Sequence, residues 1–151
     1  MIHYRNDVRK SGVDARALKA TAKALLAAVG EEGSSLSLTL VDDEAIRVLN
    51  REHRGKDKPT DVLSFPMFDD AIDDPEIDER LLGDVVISID TARRQAADYD
   101  APVQRELYRL LIHGLLHVLG HDHEEPAERA EMEAEEKRLA AAIGMPWPYE
   151  D

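Results

Sequence analysis

The stretch His113-Gly114-Leu115-Leu116-His117-Val118-Leu119-Gly120-His121-Asp122-His123 holds four of the six histidines of a 151-residue chain. Just upstream, Pro102 stands where a helix can begin, because its missing N–H costs nothing in a first turn. Val103, Leu107, Leu110, Leu111, Gly114 and Val118 follow at helical spacing and form an inner face. Gly120 is a natural stop. His113 and His117 therefore sit one turn apart on one helix, about 40° apart around its axis. A chain that turns at Gly120 can bring a third imidazole back to the first two. Three neutral imidazoles suit Zn²⁺, one ion per chain, with the fourth position left for water or substrate. His113, His117 and His123 fit this arrangement. His121 is the rival for third place; His123 is preferred because the two intervening residues give the chain more room to reverse. A lone histidine here would more often be a surface or core residue, but three at this spacing match a metal site. Asp122 either hydrogen-bonds a ligand ring or serves only the turn.

The elements on either side mix helix and strand. Residues 126–143 read as a last helix, opened by Pro126 and closed by Gly144, with Glu125–Arg129 and Glu133–Lys137 at i,i+4 spacing. Toward the N-terminus, residues 2–5 read as a short strand. Asp14 caps a helix over 15–29 whose stripe is Leu18, Ala22, Leu25, Leu26 and Val29. Residues 35–41 alternate, with Leu36, Leu38 and Leu40 on one face, and read as a strand. Asp42 caps a short helix with Ile46 and Leu49 inward. Gly55 to Pro59 is a polar loop, and residues 60–65 are a β-rich run ended by Pro66. Residues 67–81 form an acidic loop with no apolar period. Residues 82–89 read as a strand, and Asp90 caps a helix reaching about Tyr99. No repeat, low-complexity linker or domain boundary interrupts the pattern. The expectation is one α+β layer structure over residues 1–151.

Composition narrows the function classes. A chain of this length can bury roughly 70% of its unfolded surface and needs no staples. It has no cysteine, which excludes disulfides, thiolate metal sites and a Cys nucleophile. No apolar run approaches the ~20 residues of a membrane helix, and the first residues lack an apolar signal core, so a cytoplasmic protein without membrane attachment is expected. Lys plus Arg number 19 against 32 Asp plus Glu, a formal net charge of −13. Such a balance opposes non-specific nucleic-acid binding, which draws on many cations to displace counterions. The charge is uneven, however. Between Arg47 and Lys58, Arg47, Arg51, Arg54, Lys56 and Lys58 face only Glu52 and Asp57, a local +3. Residues 69–79 hold seven acids.

The histidine spacing approaches that of metzincin proteases, which place His, His, Gly and His in this order. Those enzymes carry Glu directly after the first His as general base. Here that residue is Gly114, in the middle of the inner face, where close helix packing explains it. Glu-assisted peptide hydrolysis is unsupported. Zinc lowers the pKa of a bound water to about 7, so a carboxylate base is not strictly required. A phosphodiester substrate would further need a cation for charge developing on its oxygens. Arg54 and its basic neighbours are candidates; a solvated helix end with cations near its C-terminal dipole is the competing explanation. Val62, Leu63 and Phe65 read as core. Ser64 lacks the glycine-flanked elbow of a nucleophile.

Three blocks together resemble a known family. They are Asn50 to Pro66 (NREHRGKDKPTDVLSFP), Leu82 to Ser88 (LGDVVIS) and the histidine motif. In this order and at this length they resemble the YbeY family, bacterial single-strand-specific endoribonucleases of ribosomal RNA maturation, over nearly the whole chain. The resemblance implies a zincin-like α+β fold: a small mixed four-stranded sheet packed with about five helices, and a metal in a cleft. It implies His113, His117 and His123 as zinc ligands and Arg54 as the functionally important arginine. It implies RNA, small-subunit ribosomal proteins and an associated GTPase as partners, and 16S rRNA 3′-end processing with ribosome quality control as the role. His121 stands where many members carry Tyr. The acidic loop lies in a variable region. A zincin-type metalloprotease and a non-catalytic ribosome-assembly factor with a structural zinc are the alternatives, and either water or the RNA's own 2′-OH remains open as attacker.

Overall fold

The computed structural model describes residues 1–67 and 80–147. Nine elements follow in chain order: β1 (Ile2–Asn6), α1 (Ala15–Ala28), β2 (Ser34–Val41), α2 (Asp43–Arg54), β3 (Val62–Pro66), β4 (Arg80–Ser88), α3 (Ile89–Asp98), α4 (Val103–Val118) and α5 (Pro126–Ala142). The four strands form one sheet in the order β1-β2-β4-β3. β2 runs parallel to β1 and β4, and β3 closes the edge antiparallel to β4. This is the expected α+β fold with a mixed four-stranded sheet and five helices. The acidic residues 69–79 lie outside the described residues. Among those described, no helix is long and apolar enough to cross a membrane.

Strand alternation sorts the sheet into two faces. Leu36, Leu38 and Leu40 are completely buried on one face, with Val85 and Ile87 of β4, against α1 and α4. Val41, Leu63 and Val86 point the other way and pack with Ile46 of α2, flanked by Leu49 and Phe65. A Leu or Ile fully removed from water contributes roughly 1.5–3 kcal/mol, so the α1/α4 face carries most of the stabilisation. α4 is buried on more than the expected stripe: Ile112, Leu115 and Leu116 are also fully covered. The sheet holds one side of it, and α1, α3 and α5 hold the others.

Several boundaries differ from the sequence reading, each for a local reason. The strand expected at 82–89 begins at Arg80, because β4 pairs with Ser34 and Ser35 of β2 before a register shift. The N-cap of α3 is Ser88, not Asp90: the Ser88 hydroxyl accepts from Thr91 N at 3.2 Å. Asp90 instead accepts from Asp43 N at 2.9 Å, while Ser88 donates to the Asp43 carboxylate at 2.6 Å. The N-termini of α2 and α3 are thereby tied to each other. Asp14 and Asp42 cap α1 and α2 as expected, accepting from Ala17 N at 3.0 Å and Ala45 N at 2.9 Å. In α5 the Arg129 guanidinium turns to the His123 carbonyl at 3.5 Å rather than to Glu125.

Candidate metal centre and its cleft

α4 delivers His113 and His117 in its last turns, packed close to the sheet. Gly114 makes that approach possible. A Cβ there would lie 2.7 Å from Val85 Cγ1 and 3.2 Å from Ser64 Oγ. Ser64, buried on β3, donates its hydroxyl to the Gly114 carbonyl at 2.9 Å, so its role is to fasten the edge strand to the helix. Beyond α4 the chain turns through Gly120 at φ +97°, a conformation that strains any residue with a Cβ. The turn is closed by His121 N donating to Leu116 O at 2.9 Å.

That reversal returns His123 to the helix. Its ring centroid lies 5.9 Å from that of His113 and 5.3 Å from that of His117, and the two helical rings are 4.6 Å apart. One nitrogen from each of the three rings falls within 4.8 Å of the other two. The Nε2 atoms of His113 and His117 are 3.1 Å apart. Two nitrogens on one tetrahedral Zn²⁺ at ~2.0–2.1 Å would be roughly 3.3 Å apart. Donor type and spacing therefore fit a metal ion. His121 borders the same space but stands outside the group of three.

Two of the rings also face a carboxylate oxygen through Nδ1. Asp122 Oδ1 lies 3.4 Å from His123 Nδ1 and accepts from His123 N at 2.7 Å, so it serves turn and ring together. Glu136 Oε2, from α5, lies 3.5 Å from His113 Nδ1. His117 has its pKa pushed down, first by burial and then by its neighbours His113 and His123, against the opposing pull of Asp122 and the His121 backbone. The depressed value favours the neutral ring that a metal requires. Glu136 escaped the sequence reading. Its signal is register: it shares the buried stripe of α5 with Met132, Leu139 and Ala140.

The three rings form one wall of an open cleft of about 550 Å³. Asp61, Val62 and Ser64, at and just before the start of β3, also line it, with Arg54 at the end of α2. Of the five cations between Arg47 and Lys58, only Arg54 lines this cleft. Arg47 is bound to Glu44 and Asp57, each at 2.6 Å, and Arg51 approaches Asp57 at 3.9 Å. Of the candidate cations, Arg54 and its basic neighbours, the cleft thus holds only Arg54. Gly55, at φ +69°, ends α2 directly after Arg54 and leaves it in the last helical turn. Asp61 was not singled out from the sequence. It accepts from Val62 N at 2.7 Å and Gln95 Nε2 at 3.2 Å.

Fold and cleft together define an α+β protein whose three clustered imidazoles, from one helix and the turn after it, can hold a metal ion. A family model described as Endoribonuclease YbeY matches residues 3–144, and the chain belongs to that family. It is 46% identical over 127 residues to an Endoribonuclease YbeY of Desulfitobacterium hafniense, covering 82% of this chain and 81% of that protein. An Endoribonuclease YbeY of Anaeromyxobacter dehalogenans is 53% identical over 131 residues, covering 87% of this chain and 65% of the relative. One from Myxococcus xanthus is also 53% identical, but this chain spans only 44% of its length. Among solved structures, the solution structure of TM1509 from Thermotoga maritima superposes with a TM-score of 0.65 at 26% identity, covering 95% of this chain and 89% of that one.

Proposed function

We propose that the protein is a zinc-dependent endoribonuclease that cuts single-stranded RNA during ribosomal RNA maturation, within the cytoplasm. The observation that carries this reading is the placement of Arg54 and the His113–His117–His123 cluster around one cleft. Family membership supplies the substrate class, because the relatives named above are endoribonucleases.

His113, His117 and His123 would hold the metal. When bound, it acts as a Lewis acid toward a phosphoryl oxygen and lowers the pKa of a coordinated water. The remaining work falls to the chain itself. Arg54 has no hydrogen bond or ion pair among the described residues, so its guanidinium is available for a phosphate. Its planar fork can present two N–H donors to two oxygens. Its contribution grows as charge develops on the phosphoryl group. The β3 edge forms a wall along which an extended strand can lie. Peptide hydrolysis is disfavoured because Gly114 occupies the position of the zincin Glu and is packed against Val85 and Ser64. A closed structural zinc is disfavoured because the fourth nearby imidazole, His121, stands outside the cluster. Small-subunit ribosomal proteins and an associated GTPase are the partners that the family resemblance suggests. Such partners would offset the weak RNA affinity expected from a charge of −13.

The test is cleavage of a single-stranded RNA by metal-quantified protein beside His113→Ala and Arg54→Ala proteins prepared identically. Cleavage that needs both residues supports the proposal. Equal cleavage by all three identifies a contaminating nuclease and refutes the assignment of this site. A 2′,3′-cyclic phosphate at the product end would assign the attack to the RNA's own 2′-OH.

A further inference from the structure

The metal cluster has a neighbour on the side away from the cleft. Glu136 projects from α5 toward α4, and its side chain is only 12% exposed. A carboxylate removed from water to this extent needs a partner to offset its desolvation. Its one charged or hydrogen-bonding partner among the described residues is His113, with Oε2 3.5 Å from Nδ1. The two residues, with Met132 and Arg129, border a small hollow between the helices. Glu136 contributes no atom to the group of ligand nitrogens lying within 4.8 Å of one another, so it can reach the metal position only through the His113 ring.

We propose that Glu136 is the positioning residue for His113. It accepts the Nδ1–H, fixes the tautomer that leaves Nε2 free, and holds the ring plane toward His117. This rests on the reading of the three histidines as a metal site. A ring with the wrong tautomer would turn an N–H rather than a lone pair toward the ion. A carboxylate behind the ring also makes Nε2 a stronger electron donor. The present separation is long for a hydrogen bond. A cation at Nε2 would make Nδ1–H the better donor toward Glu136. A carboxylate also faces His123, where Asp122 Oδ1 lies 3.4 Å from Nδ1. That partner belongs to the ligand turn itself. Glu136 differs because it comes from another helix, and it makes the docking of α5 part of the metal site.

The experiment measures Zn²⁺ affinity by competition with a chromophoric chelator, and Co²⁺ absorption spectra, for the full-length wild type and for Glu136→Ala, Glu136→Gln and Glu135→Ala. Glu135 is the control, since it pairs with Arg138 at 2.8 Å and not with the cluster. Glu136→Ala is expected to bind Zn²⁺ 10–100-fold more weakly, the usual effect of removing such a partner, with an altered Co²⁺ spectrum. Glu136→Gln keeps an accepting oxygen and the side-chain shape, so it should recover most of the affinity and fold where the alanine variant does not. Glu135→Ala should match wild type. The proposal is overturned if Glu136→Ala and Glu136→Gln both bind and absorb as wild type does, or if Glu135→Ala weakens binding as much. Failure of the wild type to bind either metal would instead remove the metal reading on which the inference stands.

Discussion

A methyl group at position 114 would sit 2.7 Å from Val85 Cγ1 and 3.2 Å from Ser64 Oγ, closer than a packed core accommodates without movement. Because Gly114 adjoins His113 and lies three residues from His117, that movement would reach the histidine cluster. Gly114→Ala should destabilise the protein by about 1–3 kcal/mol in denaturant unfolding and weaken Zn²⁺ retention. A stable variant with unchanged zinc content would show that the close packing does not set the ring positions. The Arg54 guanidinium makes no hydrogen bond or ion pair among the described residues, so its removal should leave the fold and metal retention unchanged. Arg54→Ala is expected to lower the cleavage rate about 100-fold or more, the scale for losing one preorganised donor to a developing charge. Arg54→Lys should recover part, having charge without the fork. Parallel unfolding curves and zinc assays check that only catalysis moves. At this scale the three histidines were legible because one helix and one glycine turn place them. Glu136 was not, because it meets His113 only after α5 docks on α4.

The elements owe their boundaries to capping as much as to apolar period. Asp14 and Asp42 could be read directly, each preceding a helical run. The start of α3 was misplaced because Ser88 and Asp90 are both competent caps, and the choice depends on where β4 stops pairing. What settles it is Asp43, whose carboxylate accepts from Ser88 Oγ at 2.6 Å, Thr91 Oγ1 at 2.7 Å and Arg94 Nη2 at 2.8 Å. Burial pushes the Asp43 pKa upward, but these donors outweigh it and hold the carboxyl below its usual range. A carboxyl lowered on folding stabilises the native state above its unfolded value, about 3.9, and loses that contribution as pH falls through the folded value. Asp43→Asn should therefore cost about 2 kcal/mol at neutral pH. Its gap from wild type should shrink below about pH 4, read from urea midpoints across pH. A gap that stays constant down to pH 2 would contradict this.

For the whole molecule, residue averages and residue placement point different ways. The −13 charge and the basic segment were both visible in the sequence. Sheet order and the packing of α2 were not, since they follow from tertiary pairing. They turn a run of five cations into a single cleft cation, with Arg47 held by Glu44 and Asp57. Binding of single-stranded RNA should accordingly be weakly salt-dependent. With Arg54 and one or two of the exposed Lys56 and Lys58 on phosphates, log K should fall against log salt with a slope of about −1.4 to −2.1, at about −0.7 per contact on a single strand. A slope near −5 would mean a basic surface that the cleft does not contain. The central claim is that this cleft cuts RNA through a metal held by three imidazoles. Its most direct test is to strip the protein of metal and titrate Zn²⁺ back while following cleavage of a single-stranded RNA. Activity should be absent without metal, rise linearly and reach its plateau at one zinc per chain, with His117→Ala silent throughout. Undiminished cleavage by the stripped protein, or by His117→Ala, would contradict it.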